Sequence, residues 1–284
     1  MAKGTLANAK PDAQPRVRRG YFECRYGQLH VHNAIPAGGG FEEGTSLLCL
    51  HRNLMSGCVF QRFLTLAGRD RSVYAPDTPG CGDSDPPSAR PTILDYAGAI
   101  GDFLDSMRFR QIDILGHQAG ALIAAELAIA RPKQIRRVVL VSVPVVTDAD
   151  KDLFRRAPAP SFWPASAVPD GGPLAMEWLR LREAYGPQVP VEVVGAAFAE
   201  QLRNAHQAAW SHSAALQYPV RERLGLITQP TLVLRPKDDL WESTQRAREL
   251  LPRARFVDLP EQGLGFFETA ADVATECVKE FLRS

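Results

Sequence analysis

Apolar and polar positions alternate from Gly20 to Ile35, in GYFECRYGQLHVHNAI, around a turn at Gly27. Alternation with period two broken by a glycine predicts an antiparallel hairpin. Further on, the pattern changes to short, unbroken apolar runs: SLLCLH ending at His51, SVYAP (Ser72 to Pro76), IDILG (Ile112 to Gly116), VVLVSVP (Val138 to Pro144) and TLVLR (Thr231 to Arg235). Runs of this length and composition fit strands buried on both faces. Between them lie helical stretches, among them Ile93 to Met107 and ALIAAELAIA from Ala121. Strands alternating with helices predict an α/β fold with a mostly parallel central sheet flanked by helices.

Between Thr147 and Leu226 the strand-like runs thin out. Prolines cluster in APAPSFWPASAVPDGGP, and helical stretches rich in Ala, Leu, Trp and His follow. Residues 147–226 are therefore predicted to be a helical cap, inserted before the last strands and lying over the carboxyl ends of the sheet, where open α/β sheets bind ligands. The core then comprises 20–146 and 227–284. RFVDLP (Arg255 to Pro260) is its expected last strand, and ADVATECVKEFL its closing amphipathic helix. Residues 1–19 read as a flexible basic tail, and no internal repeat is visible.

Composition narrows the function classes. Hydrophobic residues at 45% and charged residues at 23% lie near the globular average. A net charge of +1, without aromatic residues interleaved among Lys and Arg, gives no footprint for nucleic acid. A small neutral or weakly charged molecule is the expected partner, and a homo-oligomer is left open. Five scattered cysteines without a C-x-x-C pairing argue against a disulfide framework or a zinc site. With no secretory signal in the N-terminal stretch and no long apolar run, the expectations are a cytoplasmic location and no membrane span.

DILGHQAG, Asp113 to Gly120, sets a strand, a tight glycine-flanked turn and a helix in succession. It resembles the nucleophile elbow G-x-S-x-G of the α/β-hydrolase superfamily. LCLHRN resembles that family's strand into the oxyanion-hole loop, and APDTPGCGDSD its Asp-x-x-Gly-x-Gly-x-Ser segment. TLVLRPKDDLW resembles the strand carrying the triad acid, and LPEQGLGFFE the segment where a histidine normally follows a glycine. These segments come in the family's order from residue 20 to the C-terminus. The resemblance implies the α/β-hydrolase fold, with no cofactor.

The same resemblance marks a divergent member. Gln118 stands at the nucleophile position, and a primary amide cannot form the usual acyl-enzyme, although it can orient a water, hold a substrate oxygen, or merely fill space. Leu264 stands where the triad histidine belongs. Asp239 falls on the acid position, with Asp238 as its neighbour and fallback. A carboxylate there could act as a base, pair with Arg235 or Lys237, or cap the following helix. In the oxyanion loop Arg52 follows His51 where the family often has His-Gly, so Arg52 is expected either to clamp an anion or to turn to solvent. Backbone N–H groups of Asn53 and Ala119 are the candidate oxyanion donors. His51 is the first choice for a base, and His117 is expected to pack beneath the site.

Asp77 is read as a cap or brace for its loop. Within the cap, Trp178, Tyr185, Phe198, His206, Trp210, His212 and Tyr218 offer a pocket lining, with Trp178 and Trp210 as substrate contacts. His206 and His212 are six residues apart and would not share a helix face, so no metal site is expected.

The implied function is chemistry on a small, largely apolar molecule without a covalent serine intermediate, of the water-mediated hydrolysis, lyase or isomerase type. The alternative is a non-catalytic ligand-binding or assembly pseudoenzyme. A third reading is a hydrolase with a nucleophile relocated to Ser84 or Ser142.

Overall fold

A computed structural model describes residues 15–37, 44–156, 171–203 and 205–283. Most of the predicted N-terminal tail lies outside the described residues. The hairpin forms as β1 (Val17–Cys24) and β2 (Gly27–Ala34), paired from Val17 against Ala34 to Cys24 against Gly27. β1 therefore takes in Val17, Arg18 and Arg19 of the predicted tail. Gly27 has φ of 111°, and a Cβ there would meet the Asp85 carboxylate, so both conformation and space require glycine at this turn.

The remaining strands are β3 (Leu47–Leu50), β4 (Val73–Pro76), β5 (Ile112–His117), β6 (Ile135–Val141), β7 (Thr231–Pro236) and β8 (Arg255–Leu259). They form an eight-stranded sheet in the order β1-β2-β4-β3-β5-β6-β7-β8. β2 meets both β1 and β4 antiparallel, and every later pairing is parallel. β3, β4, β5 and β7 are buried at every position, as their unbroken apolar runs require.

Two apolar layers clothe this sheet. α2 (Ile93–Ser106) and α3 (Ala119–Ala130) cover one face, where Ile100, Phe103, Leu104, Leu122 and Leu127 are fully or almost fully buried. Thr92 and Asp95 close a reciprocal capping box that starts α2. α1 (Gln61–Ala67) and the closing helix pack on the other face with Phe60, Phe63, Phe266 and Phe267. Phe267 meets Phe60 at 4.7 Å and Phe63 at 5.4 Å between ring centroids, both edge to face. Such pairs add about 0.5–1.5 kcal/mol beyond their burial, and they pin the chain just after Leu264.

The predicted insertion is helical: α4 (Asp148–Arg156), α5 (Gly172–Tyr185), α6 (Val191–Arg203), α7 (Ala205–Gln217) and α8 (Val220–Leu224) lie between β6 and β7. Buried Glu126 on α3 fastens the insertion to the core. Its carboxylate accepts from Tyr218 Oη at 2.8 Å and from Arg223 Nη2 at 2.5 Å. Short helices α9 (Trp241–Gln245) and α10 (Ala247–Leu250) follow β7, while α11 (Phe266–Thr269) and α12 (Ala271–Arg283) follow β8.

Candidate active site

β5 ends in the tight turn predicted from GHQAG. Gln118 has φ of 52° and ψ of −114°, a left-handed conformation that costs a non-glycine residue roughly 1–3 kcal/mol. Its neighbours enforce it. A Cβ on Gly116 would stand 2.1 Å from the Gly120 carbonyl, and one on Gly120 would stand 2.2 Å from the Leu50 carbonyl. The helix can therefore enter only as close to β3 and β5 as two glycines permit. The backbone is tied further by Gln118 N–H donating to Val141 O at 2.9 Å.

The side chain of Gln118 is nearly buried and donates from Nε2 to Asp239 Oδ1 at 3.4 Å. Nucleophile position and acid position thus meet. Asp238 Oδ1 accepts the Leu240 N–H at 3.0 Å in the turn before α9, a helix that has no side-chain cap. Burial first, and the Asp239 charge second, push Asp238 up to about 6, tempered by Ser142 and Gln118. Arg235 does not pair with either acid. It stacks on Trp241 at 3.7 Å and bridges to Asp258 at 3.1 Å.

Leu264 is half-buried and packs against the apolar cluster that includes Phe60 and Phe267. Polar groups gather beside it all the same. Arg52, only 3% exposed, donates to Tyr185 Oη at 2.5 Å, and Tyr185 in turn donates to Glu268 Oε1 at 3.0 Å. Arg52 also lies 3.5 Å from Glu268. Burial opposes the charge on Arg52, but Tyr185, Glu268 and Asp239 outweigh it and hold its pKa above the ordinary value. Arg52 therefore neither turns to solvent nor stands ready as an anion clamp, because an internal carboxylate already meets it. Gly265 makes room for this relay, as a Cβ there would stand 2.7 Å from the Tyr185 ring.

His51, the expected base, is fully engaged. Its Nε2 accepts the Thr78 N–H at 2.9 Å, so Nδ1 carries the proton and donates to Arg52 O at 2.9 Å. No lone pair is left for catalysis, and burial holds its pKa below the ordinary value. His117 is buried and packs edge to face on Phe267 at 5.4 Å. Burial, and then the nearby Arg52 charge, keep it neutral. Ala119 opens α3, where a helix leaves its first amides without internal partners.

The cap contributes unevenly. Trp178 packs edge to face on Phe198 at 5.6 Å, inside the α5–α6 layer, and Trp210 is half-buried on α7. The side chain of His206 lies outside the described residues. His212 approaches the loop after β3: its Nδ1 lies 3.4 Å from Asn53 Nδ2, and burial holds its pKa below the ordinary value against the opposing charge of Asp239. The sequence offers His212 and Tyr185 only as pocket-lining candidates and gives no sign of Glu268. No motif flags them, because α5, α7 and α11 bring them together from separate segments.

Among the described residues one cluster has metal-binding residue types: buried His30, His32 and Asp77, with ligand atoms within 4.8 Å of one another. Its hydrogen bonds identify it as a brace. Asp77 accepts from His30 Nδ1 at 2.8 Å, Asp83 N–H at 3.0 Å and Gly57 N–H at 2.8 Å, and a cation would have to displace them. Ser84, one of the relocated-nucleophile candidates, belongs to the same brace, donating to Asp77 O and accepting the His30 N–H. Ser142, the other, is fully buried beside Asp238. Burial pushes the thiols of Cys58 and Cys81 up to about 12, which leaves them inert.

Residues 44–276 match the family model described as the alpha/beta hydrolase family. An uncharacterized protein of Mycobacterium tuberculosis is 35% identical over 97 residues, which cover 34% of this chain and only 28% of that relative. The 2-hydroxymuconate semialdehyde hydrolase of a Pseudomonas species is 35% identical over 91 residues, 29% of this chain and 31% of that enzyme. The crystal structure of an enol-lactonase from Burkholderia xenovorans superposes with a TM-score of 0.75 at 17% identity, covering 93% of this chain and all of that one. That likeness is one of fold.

Proposed function

The chain belongs to the alpha/beta hydrolase family, and we propose that within it the protein adds water to a small, largely apolar molecule without forming a covalent bond to the elbow residue. The observation that carries this reading is the Gln118 amide held against the Asp239 carboxylate on a strained elbow. An amide offers no nucleophile, yet it donates and accepts hydrogen bonds. Gln118 and Asp239 together suit a water molecule, which can donate to the carboxylate and accept from the amide. Attack by that water at a carbonyl carbon would place the developing oxyanion toward the Ala119 N–H at the head of α3. The similar proteins named above as a hydrolase and an enol-lactonase are in keeping with esters and lactones as the substrate class.

Leu264 and the Arg52–Glu268 pair favour a second reading, a protein that binds such a molecule without converting it. Both changes make this end of the site dry and self-neutralised.

A panel of short-chain esters and lactones separates these readings. The native protein is expected to hydrolyse at least one member steadily, with no initial burst, and to remain unlabelled by a fluorophosphonate probe. Both Gln118→Ala and Asp239→Asn should lower that rate. Stoichiometric labelling sinks the non-covalent reading; a ligand-induced rise in melting temperature without product establishes the binding-only one.

A further inference from the structure

We propose that Tyr185, at the end of cap helix α5, is a positioning residue that makes the oxyanion loop depend on the cap. Through Arg52 it sets the direction of the Asn53 backbone N–H, so that this candidate donor is assembled only while the cap is seated. The inference rests on the water-addition reading above, because it assigns a partner to the oxyanion which that reading requires. It also accounts for Arg52, which is buried and already neutralised.

The loop after β3 is held in a conformation that its own residues do not prefer. Leu54 has φ of 65°, in the left-handed region that a non-glycine residue occupies only when its surroundings over-determine it. Asn53 stands between that strained residue and Arg52, so the direction of its N–H follows from how the two are fixed. Arg52 is fixed at both ends. Its carbonyl accepts from His51 Nδ1 at 2.9 Å, and its guanidinium donates to Tyr185 Oη at 2.5 Å. A hydrogen bond to a charged group is comparable in size to the cost of a left-handed leucine, so its loss is enough to let the loop relax. With the phenol hydroxyl gone, Arg52 and Glu268, now 3.5 Å apart, would also close directly on each other and draw the loop with them.

Tyr185 belongs to the cap and not to the loop. It is buried, it closes α5, and Arg182 staples the turn that follows by donating to Gly186 O at 3.0 Å, Pro187 O at 2.8 Å and Val189 O at 2.7 Å. The phenol therefore moves with the α5–α6 corner as a unit. Leu181, Val194 and Ala197 seat that corner in the apolar cluster that includes Phe60 and Phe267. Tyr185 Oη also donates to Glu268 Oε1 at 3.0 Å, which ties the same hydroxyl to α11, just beyond Leu264. One hydroxyl thus joins the cap, the oxyanion loop and the segment that lacks its histidine.

The test uses the full chain, the ester or lactone that the native protein turns over fastest, and its thiono counterpart, in which sulfur replaces the carbonyl oxygen. Sulfur accepts hydrogen bonds weakly, so the oxo-to-thiono ratio of kcat/KM reports how well the oxyanion donors are aimed; a general loss of fold lowers both rates together. Tyr185→Phe removes only the hydroxyl. It is expected to lower kcat roughly 10-fold to 100-fold, less than the roughly 10²–10³-fold for deleting an oxyanion donor outright, with KM nearly unchanged and the oxo-to-thiono ratio reduced. Arg52→Met probes the link from its other end, and adding Tyr185→Phe to it should lower kcat no further. Hydrogen exchange supplies a readout without turnover: peptides covering residues 52–56 should exchange faster in Tyr185→Phe than in the native protein, together with the end of α5.

Unchanged exchange in the loop, or oxo and thiono rates that fall in parallel, overturns the proposal. If Tyr185→Phe keeps its rate and ratio while Gln118→Ala and Asp239→Asn are impaired, this inference alone falls. No turnover of any ester or lactone by the native protein overturns the water-addition reading and the oxyanion role with it, while faster loop exchange in Tyr185→Phe would still establish the mechanical link between cap and loop.

Discussion

Two clusters of buried polar groups lie on this sheet, and they are built on opposite principles. In the brace around Asp77, nearly every polar atom is satisfied: the carboxylate takes three hydrogen bonds and Ser84 both gives and receives one. Only His32 Nδ1 is left over. Around Gln118, buried atoms without a hydrogen bond among the described residues accumulate: Arg52 Nε, Asn53 Oδ1, both ring nitrogens of His117 and Glu268 Oε2. An unmet buried polar atom costs about 1–3 kcal/mol. Folding energy explains the first cluster. The second leaves more of its buried polar atoms unmet within the described residues.

The sharpest way to break that contrast is Asp77→Ala. Removal leaves His30 and two backbone N–H groups buried without their acceptor, so a denaturant melt should record a loss of about 3–5 kcal/mol. A loss below 1 kcal/mol would mean that the brace is no more structural than the site.

Asp238→Asn should act with the opposite sign. The folded-state pKa of Asp238 is raised to about 6 from 3.8, so its ionised form is penalised in the native protein. The favourable contribution is fully present below about pH 4 and disappears as pH rises through 6. At pH 7.5 the variant should therefore be more stable than the native chain, by about 1–3 kcal/mol once solvent access is allowed for. At pH 4 the two melting curves should coincide. A gain that persists at pH 4 would assign the effect to packing.

The smallest expected effect is that of Gln118→Gly, which relieves the left-handed strain and should raise stability by up to about 1 kcal/mol, after the added freedom of the unfolded chain. Gln118→Ala keeps the strain and serves as the comparison. Equal melting temperatures for the two would show that the elbow holds no strain to release.

Of the brace only Asp77 was legible in the sequence, because His30 and Ser84 reach it from other segments. Period-two alternation and short apolar runs identify the strands because burial on one or both faces dictates them directly. β6 nonetheless starts at Ile135 and not at Val138, since its half-buried arginines hid the first turn of the pattern. Asp77 and Gln118 were readable because each lies within one contiguous motif. Asp239 was also placed by motif, but its contact with Gln118 spans the whole insertion. Arg52, Tyr185 and Glu268 come together from the β3 loop, α5 and α11, and His212 meets Asn53 across 159 positions. Side-chain periodicity reports which face of an element is buried, not which distant element it is buried against. His51 shows the converse: the residue type suits a base, and only its two hydrogen bonds reveal that it is spent on the loop.

The elbow's geometry has a consequence for descent. Steric demands there fall on Gly116 and Gly120, whose replacement would collide with backbone, and not on the residue between them. Position 118 is thus a socket whose shape is inherited separately from its contents. A lineage can exchange the side chain there in a single substitution and keep the scaffold, so a change of reaction need not wait for a change of fold.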